Sequence, residues 1–318
     1  MRALITGVAG FAGGHLVEHL ASATDWDIWG NVLEADHLRF VVPGARAVVA
    51  DLRDPGATRE LVEQARPDFV FHLAAQAFVQ QSWADPWDTL ETNLRSQMNL
   101  CEALLQSSPK ARVLVVGSNE EYGQARHDEQ PVNEDNPLRP DSPYAVSKIA
   151  QDFLGLQYFL SRGLPVVRVR PFNHIGPRQG ERFVASAFAK QVASIEAGLQ
   201  PPVVRVGNLK AQRDFTDVRD MVRAYRLALI QGEAGEVYNI GSGVPRSVQQ
   251  LLDTLLSYAG VDVRIEIDHE RLRPSDTPIL YCDASRFMAR TGWTPAIPFE
   301  TTLRDLLDDW RVRIRETS

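Results

Sequence analysis

Tyr144 and Lys148 stand four residues apart in the segment Tyr144-Ala145-Val146-Ser147-Lys148. On a helix that spacing puts both side chains on one face. A free phenol titrates near about 10, and a neighbouring ammonium favours the phenolate. Such a pair can act as an acid–base device near neutral pH. Taken alone, a Tyr/Lys pair at this spacing is usually just a helix surface. It gains weight from Ser118, which follows the apolar run Arg112-Val113-Leu114-Val115-Val116. The carboxyl end of such a strand is where open α/β sheets present groups to a ligand.

A second constellation, Gly7-Val8-Ala9-Gly10-Phe11-Ala12-Gly13, has GxxGxxG spacing between a strand-like run and a helical one. Glycine permits the tight turn and lets a diphosphate approach the backbone. The helix start supplies oriented N–H groups and a partial positive charge. The strand–turn–helix context favours a dinucleotide site over an ordinary glycine turn.

The elements that must position these groups follow from the apolar runs. Strands are expected at 3–6, 26–33, 47–50, 68–73, 112–116 and 166–169, with a helix beginning at 13–20. Near-continuous apolar strands separated by helices indicate a parallel sheet covered on both faces. The fold class expected is α/β, a Rossmann-type doubly wound parallel sheet with a smaller α/β C-terminal lobe. Residues 1–175, with returning segments at roughly 207–240, would form the dinucleotide-binding domain. The remainder of 176–318 would be the substrate lobe, with less regular elements and Pro/Gly turns at 198–202 and 241–245.

Composition bounds the function. The 318 residues are 44% hydrophobic and 24% charged, which suits a globular chain able to bury a core without metal or disulfide. Cys101 and Cys282 are isolated, with no metal-ligand spacing, so no metal site is expected and a reducing compartment fits. There is no apolar run of membrane-spanning length and no signal segment, so a cytoplasmic protein without a membrane partner is expected. The net charge of −7 argues against nucleic acid as a partner. Between Pro165 and Phe215, however, eight basic residues face three acidic ones. That local excess suits a small anionic ligand or a chance surface cluster.

Taken in order, these motifs resemble the extended short-chain dehydrogenase/reductase family that acts on nucleotide sugars. The likeness is carried by the glycine turn, Asp51-Leu52-Arg53-Asp54, His72-Leu73-Ala74-Ala75-Gln76, Asn93, residues 118–123, the Tyr144/Lys148 pair and Arg170-Pro171-Phe172-Asn173-His174-Ile175-Gly176-Pro177-Arg178. It runs through essentially the whole chain. Gly207-Asn208-Leu209, Gln212-Arg213-Asp214 and Arg273-Pro274-Ser275-Asp276 draw it closest to the enzymes of GDP-deoxymannose metabolism.

The resemblance implies roles. Ser118, Tyr144 and Lys148 would be catalytic, with Glu120 at the position of a dehydratase base. Gly7, Gly10, Phe11, Ala12, Gly13, Asp51, Leu52, Leu73, Ala74, Ala75, Asn93, Tyr144, Lys148 and His174 would line the dinucleotide. Asn173, Arg178, Lys190, Arg213 and Arg273 would face a GDP-linked deoxysugar, since guanidinium groups suit phosphate. A homodimer is implied through helices following Asn93 and Tyr144; 149–160 carries Phe153, Leu154, Leu156, Tyr158, Phe159 and Leu160, more apolar surface than one core-facing stripe needs.

Two activities compete. Similar dehydratases read Ser-Thr-Ser-Glu-Leu-Tyr-Gly at this strand end, whereas this chain reads Gly117-Ser118-Asn119-Glu120-Glu121-Tyr122-Gly123. An amide at 119 is a poor acid for a departing hydroxyl. The segment Arg213-Asp214-Phe215-Thr216-Asp217 also leans toward a reductase. The favoured expectation is reduction of the C4 ketone of GDP-4-dehydro-6-deoxy-D-mannose to GDP-D-rhamnose, with Tyr144 as proton donor. The alternatives are GDP-mannose 4,6-dehydration and another nucleotide-sugar epimerase or dehydratase activity. A sensor that binds the dinucleotide without chemistry is a third class, but such proteins typically lose the tyrosine or the lysine. The cofactor would be NADP(H) or NAD(H). Leu33 and Glu34 stand where NADP-using relatives commonly carry arginine, while Arg39 lies near enough in sequence to serve a phosphate.

Overall fold

The computed structural model describes residues 1–271 and 277–317. The first half alternates β1 (Arg2–Thr6), α1 (Phe11–Ala23), β2 (Asp27–Val32), β3 (Ala45–Val49), α2 (Pro55–Ala65) and β4 (Phe69–His72). There follow α3 (Val79–Ala84), α4 (Pro86–Ser107), β5 (Arg112–Val116), α5 (Pro143–Arg162) and β6 (Val166–Pro171). Three of these helices start with one device. Asp54, Asp85 and Ser142 each accept a backbone N–H of the first turn, and a proline follows each cap. The cap satisfies an orphan donor, and proline has no N–H to lose there.

The second half contains β7 (Asn173–Ile175), α6 (Val184–Glu196), β8 (Val203–Val206), β9 (Gln212–Asp217), α7 (Val218–Gln231) and β10 (Val237–Ile240). It closes with β11 (Pro245–Ser247), α8 (Val248–Ser257), β12 (Arg264–Ile267), β13 (Ile279–Leu280), α9 (Ser285–Thr291) and α10 (Phe299–Thr317). The expectation of less regular elements beyond 176 is corrected here. Helix α10 runs 19 residues, and its Leu303, Leu306, Leu307, Trp310 and Ile314 are buried on one side. That spacing is the helical period.

Seven parallel strands form the large sheet in the order β10-β6-β5-β4-β1-β2-β3. The doubly wound fold is therefore as expected. Strand order reverses beside β1, whose neighbours are β2 and β4. That reversal opens a crevice at the carboxyl ends of β1 and β4, the usual ligand position in such sheets. One core lies under α1 and α7, including Leu16, Val17, Met221 and Tyr225, and another lies against α2, α4 and α5 on the opposite face. The second lobe builds a separate core from α6, α8 and α10. There β9 pairs with β7, β11 and β13, while β8 pairs with β12.

Candidate functional site

Gly7 leaves β1 at φ 69°, in the left-handed region that glycine adopts most readily. A Cβ at Gly13 would fall 2.5 Å from the Gly7 carbonyl oxygen. Only glycine fits there, so the turn folds tightly onto the start of α1. Gly10 caps that helix without a side-chain hydrogen bond, and no acidic side chain occupies the first turn. The helix start is thus an uncovered cluster of N–H groups, shaped for a diphosphate. Thr6 Oγ1 accepts the N–H groups of Leu73 and Ala74, each at 3.0 Å, which draws the end of β4 onto the same turn. Phe11 stacks on His174 with centroids 5.8 Å apart, bringing the residue after Asn173 to the crevice.

Ser118 lies two residues beyond β5 and caps a short 3-10 turn over Asn119–Tyr122. Its hydroxyl accepts the Glu120 N–H at 3.1 Å, reaches Asn119 Oδ1 at 3.5 Å, and acts on the titration of the Tyr144 phenol. Its own proton has Asn119 Oδ1 as a long acceptor and can turn from it to a ligand oxygen. Asn119 Nδ2 donates to Asn173 Oδ1 at 3.2 Å. Lys148 Nζ donates to the Val116 carbonyl at 2.7 Å and to Gln151 Oε1 at 2.9 Å. The structure thus brings together Ser118, Glu120, Tyr144, Lys148 and Asn173.

The electrostatics correct one expectation. Burial pushes the Tyr144 phenol above its ordinary value; Ser118 pulls it down, while Glu120 and Glu121 push it up further. Lys148 is not among the groups that lower it. Burial brings Lys148 itself down to about 8, against the opposing pull of Glu121 and Asp152. The phenol is therefore held protonated, the state required of a proton donor.

Other predicted residues have different partners. Asn93 is fully buried, accepting the Gln76 N–H and donating to the Gln76 carbonyl and Ser147 Oγ. Its amide braces the loop after β4 against α5. Asp51 is clasped by Arg53, and Leu52 is buried with its carbonyl bound by Asn99 and Thr58. Arg178 grips Glu18 of α1 through two hydrogen bonds, at 2.8 and 2.6 Å, and its backbone N–H donates to Asp309. Lys190 pairs with Glu181 and faces the Trp310 ring. Arg213 donates to the carbonyls of Gln212 and Thr277. Arg273 and the Arg273-Pro274-Ser275-Asp276 motif lie outside the described residues. Two of the eight basic residues at 165–215 are internal as well, since Arg168 and Arg170 both bind buried Asp152.

The sequence reading missed Gln151 and Asp152, although they lie three and four residues after Lys148 on its helix face. It also missed the buried pairing of Arg168 and Arg170. Their period-2 spacing in an otherwise apolar strand signals two inward cations that need an anion.

Comparison with known proteins identifies the family. A family profile described as GDP-mannose 4,6 dehydratase matches residues 4–306. The chain belongs to that family. The likeness read from the motifs, to the extended short-chain dehydrogenase/reductases of nucleotide-sugar metabolism, is borne out. The chain is 37% identical over 316 residues to the GDP-6-deoxy-D-mannose reductase of Pseudomonas aeruginosa, covering 99% of each chain. It is similar to the solved structure of RMD from Pseudomonas aeruginosa complexed with NADPH, with a TM-score of 0.88, 36% identity and 98% and 100% of the two chains covered. It is also similar to the UDP-glucose 4-epimerase of Thermus thermophilus in complex with NAD, with a TM-score of 0.85, 32% identity and 98% and 99% covered.

Proposed function

We propose that this chain is a nicotinamide-dependent reductase of the C4 ketone of GDP-4-dehydro-6-deoxy-D-mannose, giving GDP-D-rhamnose. The observation that carries the reading is the buried Tyr144 phenol, which burial keeps protonated and on which Ser118 acts. When bound, the nicotinamide supplies a hydride to the ketone carbon. The protein's task is to polarise the ketone oxygen and protonate it. Ser118 donates its remaining proton as a hydrogen bond to that oxygen. Tyr144 gives up its proton to the same oxygen, while Lys148, one helical turn further along α5, is held by the Val116 carbonyl and Gln151. The turn from Gly7 through Gly10, Phe11 and Ala12 to Gly13 would hold the diphosphate of the dinucleotide, with Ala74, Ala75 and His174 among the residues lining it. Asn173 faces the GDP-sugar.

Asn119 favours reductase over dehydratase. Its amide is engaged with Asn173, and it has no proton to lose near neutral pH. Dehydration is the second reading, because half-buried Glu120 lies close enough to Tyr144 to push its titration up. Both NADPH and NADH fit the reading, since the similar solved proteins bind NADPH in one case and NAD in the other.

The proposal extends to a cytoplasmic homodimer. Val146, Phe153 and Leu160 lie seven residues apart along the exposed side of α5, and Met98 of α4 is exposed as well. Cys101 and Cys282 are buried and unpaired, which suits a reducing compartment. No helix among the described residues is long and apolar enough to cross a membrane. The test of function is incubation of the 4-keto sugar nucleotide with NADPH or NADH. NMR of the product should show a newly formed C4 carbinol; recovery of unchanged ketone overturns the assignment.

A further inference from the structure

Glu121 is fully buried directly behind the Ser118 turn. Its Oε1 accepts the Ser118 N–H at 2.8 Å, completing a capping box with the Ser118 hydroxyl. A Cβ on Gly117 would strike this same oxygen, so the carboxyl is packed tightly under the strand end. Its Oε2 lies 3.0 Å from Arg170 Nε but is not aligned for a hydrogen bond. Arg170 turns its hydrogen bonds toward Asp152, with Nε donating at 2.9 Å and Nη2 at 2.5 Å. Arg168 holds the other oxygen of Asp152 at 2.7 Å. Asp152 belongs to α5, the helix that carries Tyr144 and Lys148.

We infer that Glu121 is a positioning residue. It ties the turn bearing Ser118 to the helix bearing Tyr144 and Lys148, through Arg170 and Asp152. Ser118 and Tyr144 come from segments 26 residues apart in sequence, yet their hydroxyls must share one ketone oxygen. A cap formed within the turn alone fixes the turn's shape but not its placement against α5. The buried cluster supplies that placement. Burial and the Asp152 carboxylate push Glu121 up to about 8, against the pull of Arg170 and the Ser118 N–H. Oε1 is the acceptor for Ser118, and Oε2 borders the Arg170–Asp152 pair. A glutamine fills the same two places, with a carbonyl for Ser118 and an N–H donor for the cluster.

The kinetic arm of the test rests on the proposed ketone reduction; a second arm does not. Glu121→Ala and Glu121→Gln are compared with the natural protein. In Glu121→Ala, kcat for the 4-keto sugar should fall about 10- to 100-fold, the scale expected when reacting groups are misplaced by about 1 Å. KM for the dinucleotide should stay within about twofold, because the glycine turn is untouched. Glu121→Gln should restore kcat to within about threefold of the natural protein. In parallel, hydrogen exchange of the 117–123 peptide should accelerate in the alanine variant and recover in the glutamine variant. If the natural protein fails to reduce the ketone, the functional reading falls and the exchange arm alone decides the role of Glu121. The inference is overturned if the alanine variant keeps both kcat and exchange protection. It is equally overturned if glutamine is as impaired as alanine, or if dinucleotide KM rises as kcat falls, with a general loss of protection.

Discussion

The Asn119 amide donates to Asn173 Oδ1 across 3.2 Å, joining the turn after β5 to strand β7 of the second lobe. With its oxygen occupied, Asn173 is left with N–H groups to offer a ligand. On the proposed reading Asn173 faces the sugar nucleotide, so position 119 would act on that residue's orientation rather than on proton transfer.

Asn119→Ala should therefore raise KM for the sugar nucleotide by about 3- to 10-fold, the range set by losing one hydrogen bond of about 1 kcal/mol. Its kcat should change less than its KM. Steady-state kinetics decide the point, and a kcat loss with unchanged KM would assign Asn119 to the chemical step instead.

Tyr144→Phe removes the only proton that the phenol contributes but leaves its ring in place. Turnover should fall at least on the order of 100-fold, with dinucleotide affinity nearly intact. Affinity can be followed by quenching of protein fluorescence on NADPH addition. A variant that keeps most of its kcat would dismiss Tyr144 as the acid.

His72 gives a pH prediction independent of substrate. Its Nδ1 meets Thr6 Oγ1 at 3.0 Å, and its Nε2 is buried with no hydrogen-bond partner. Burial first, then Lys148, lowers its titration to about 3 in the folded protein. A depressed folded value means this contribution is fully present above the unfolded value of about 6.5 and is lost as pH falls toward about 3. Midpoints of urea unfolding should decline over that window. His72→Asn keeps an acceptor for Thr6 but has no such titration, so its decline should be shallower. Parallel declines would show that other groups control acid unfolding.

The exposed apolar line on α5 predicts association. Phe153 is 51% exposed and Leu160 71% exposed, which is unusual for large apolar side chains spaced along one helix side. The natural protein should scatter light as a dimer at micromolar concentration, and Phe153→Glu should shift it toward monomer. A monomer before substitution would remove the dimer from the account.

The large sheet was legible because its signals are local. Runs such as Val113–Val116 have no polar residue to break the strand. The glycine turn was legible for the same reason, since three backbone constraints fall within seven residues. The electrostatics of the site were not. Whether Lys148 acts on Tyr144 depends on where its ammonium points, and Val116 and Gln151 capture it. Arg178 likewise read as a phosphate ligand, but Glu18 reaches it from a helix 160 residues earlier in the chain. Charged side chains have many possible partners, and sequence spacing identifies only those on the same element.

The most direct test of the central claim compares two substrates under matched enzyme and cofactor. One assay follows nicotinamide absorbance with the 4-keto sugar nucleotide, and the other follows GDP-mannose loss by chromatography. The account predicts rapid ketone reduction and much slower consumption of GDP-mannose, because Asn119 cannot protonate the departing C6 hydroxyl. GDP-mannose disappearing as fast as the ketone is reduced, or faster, would contradict it and make the protein a dehydratase.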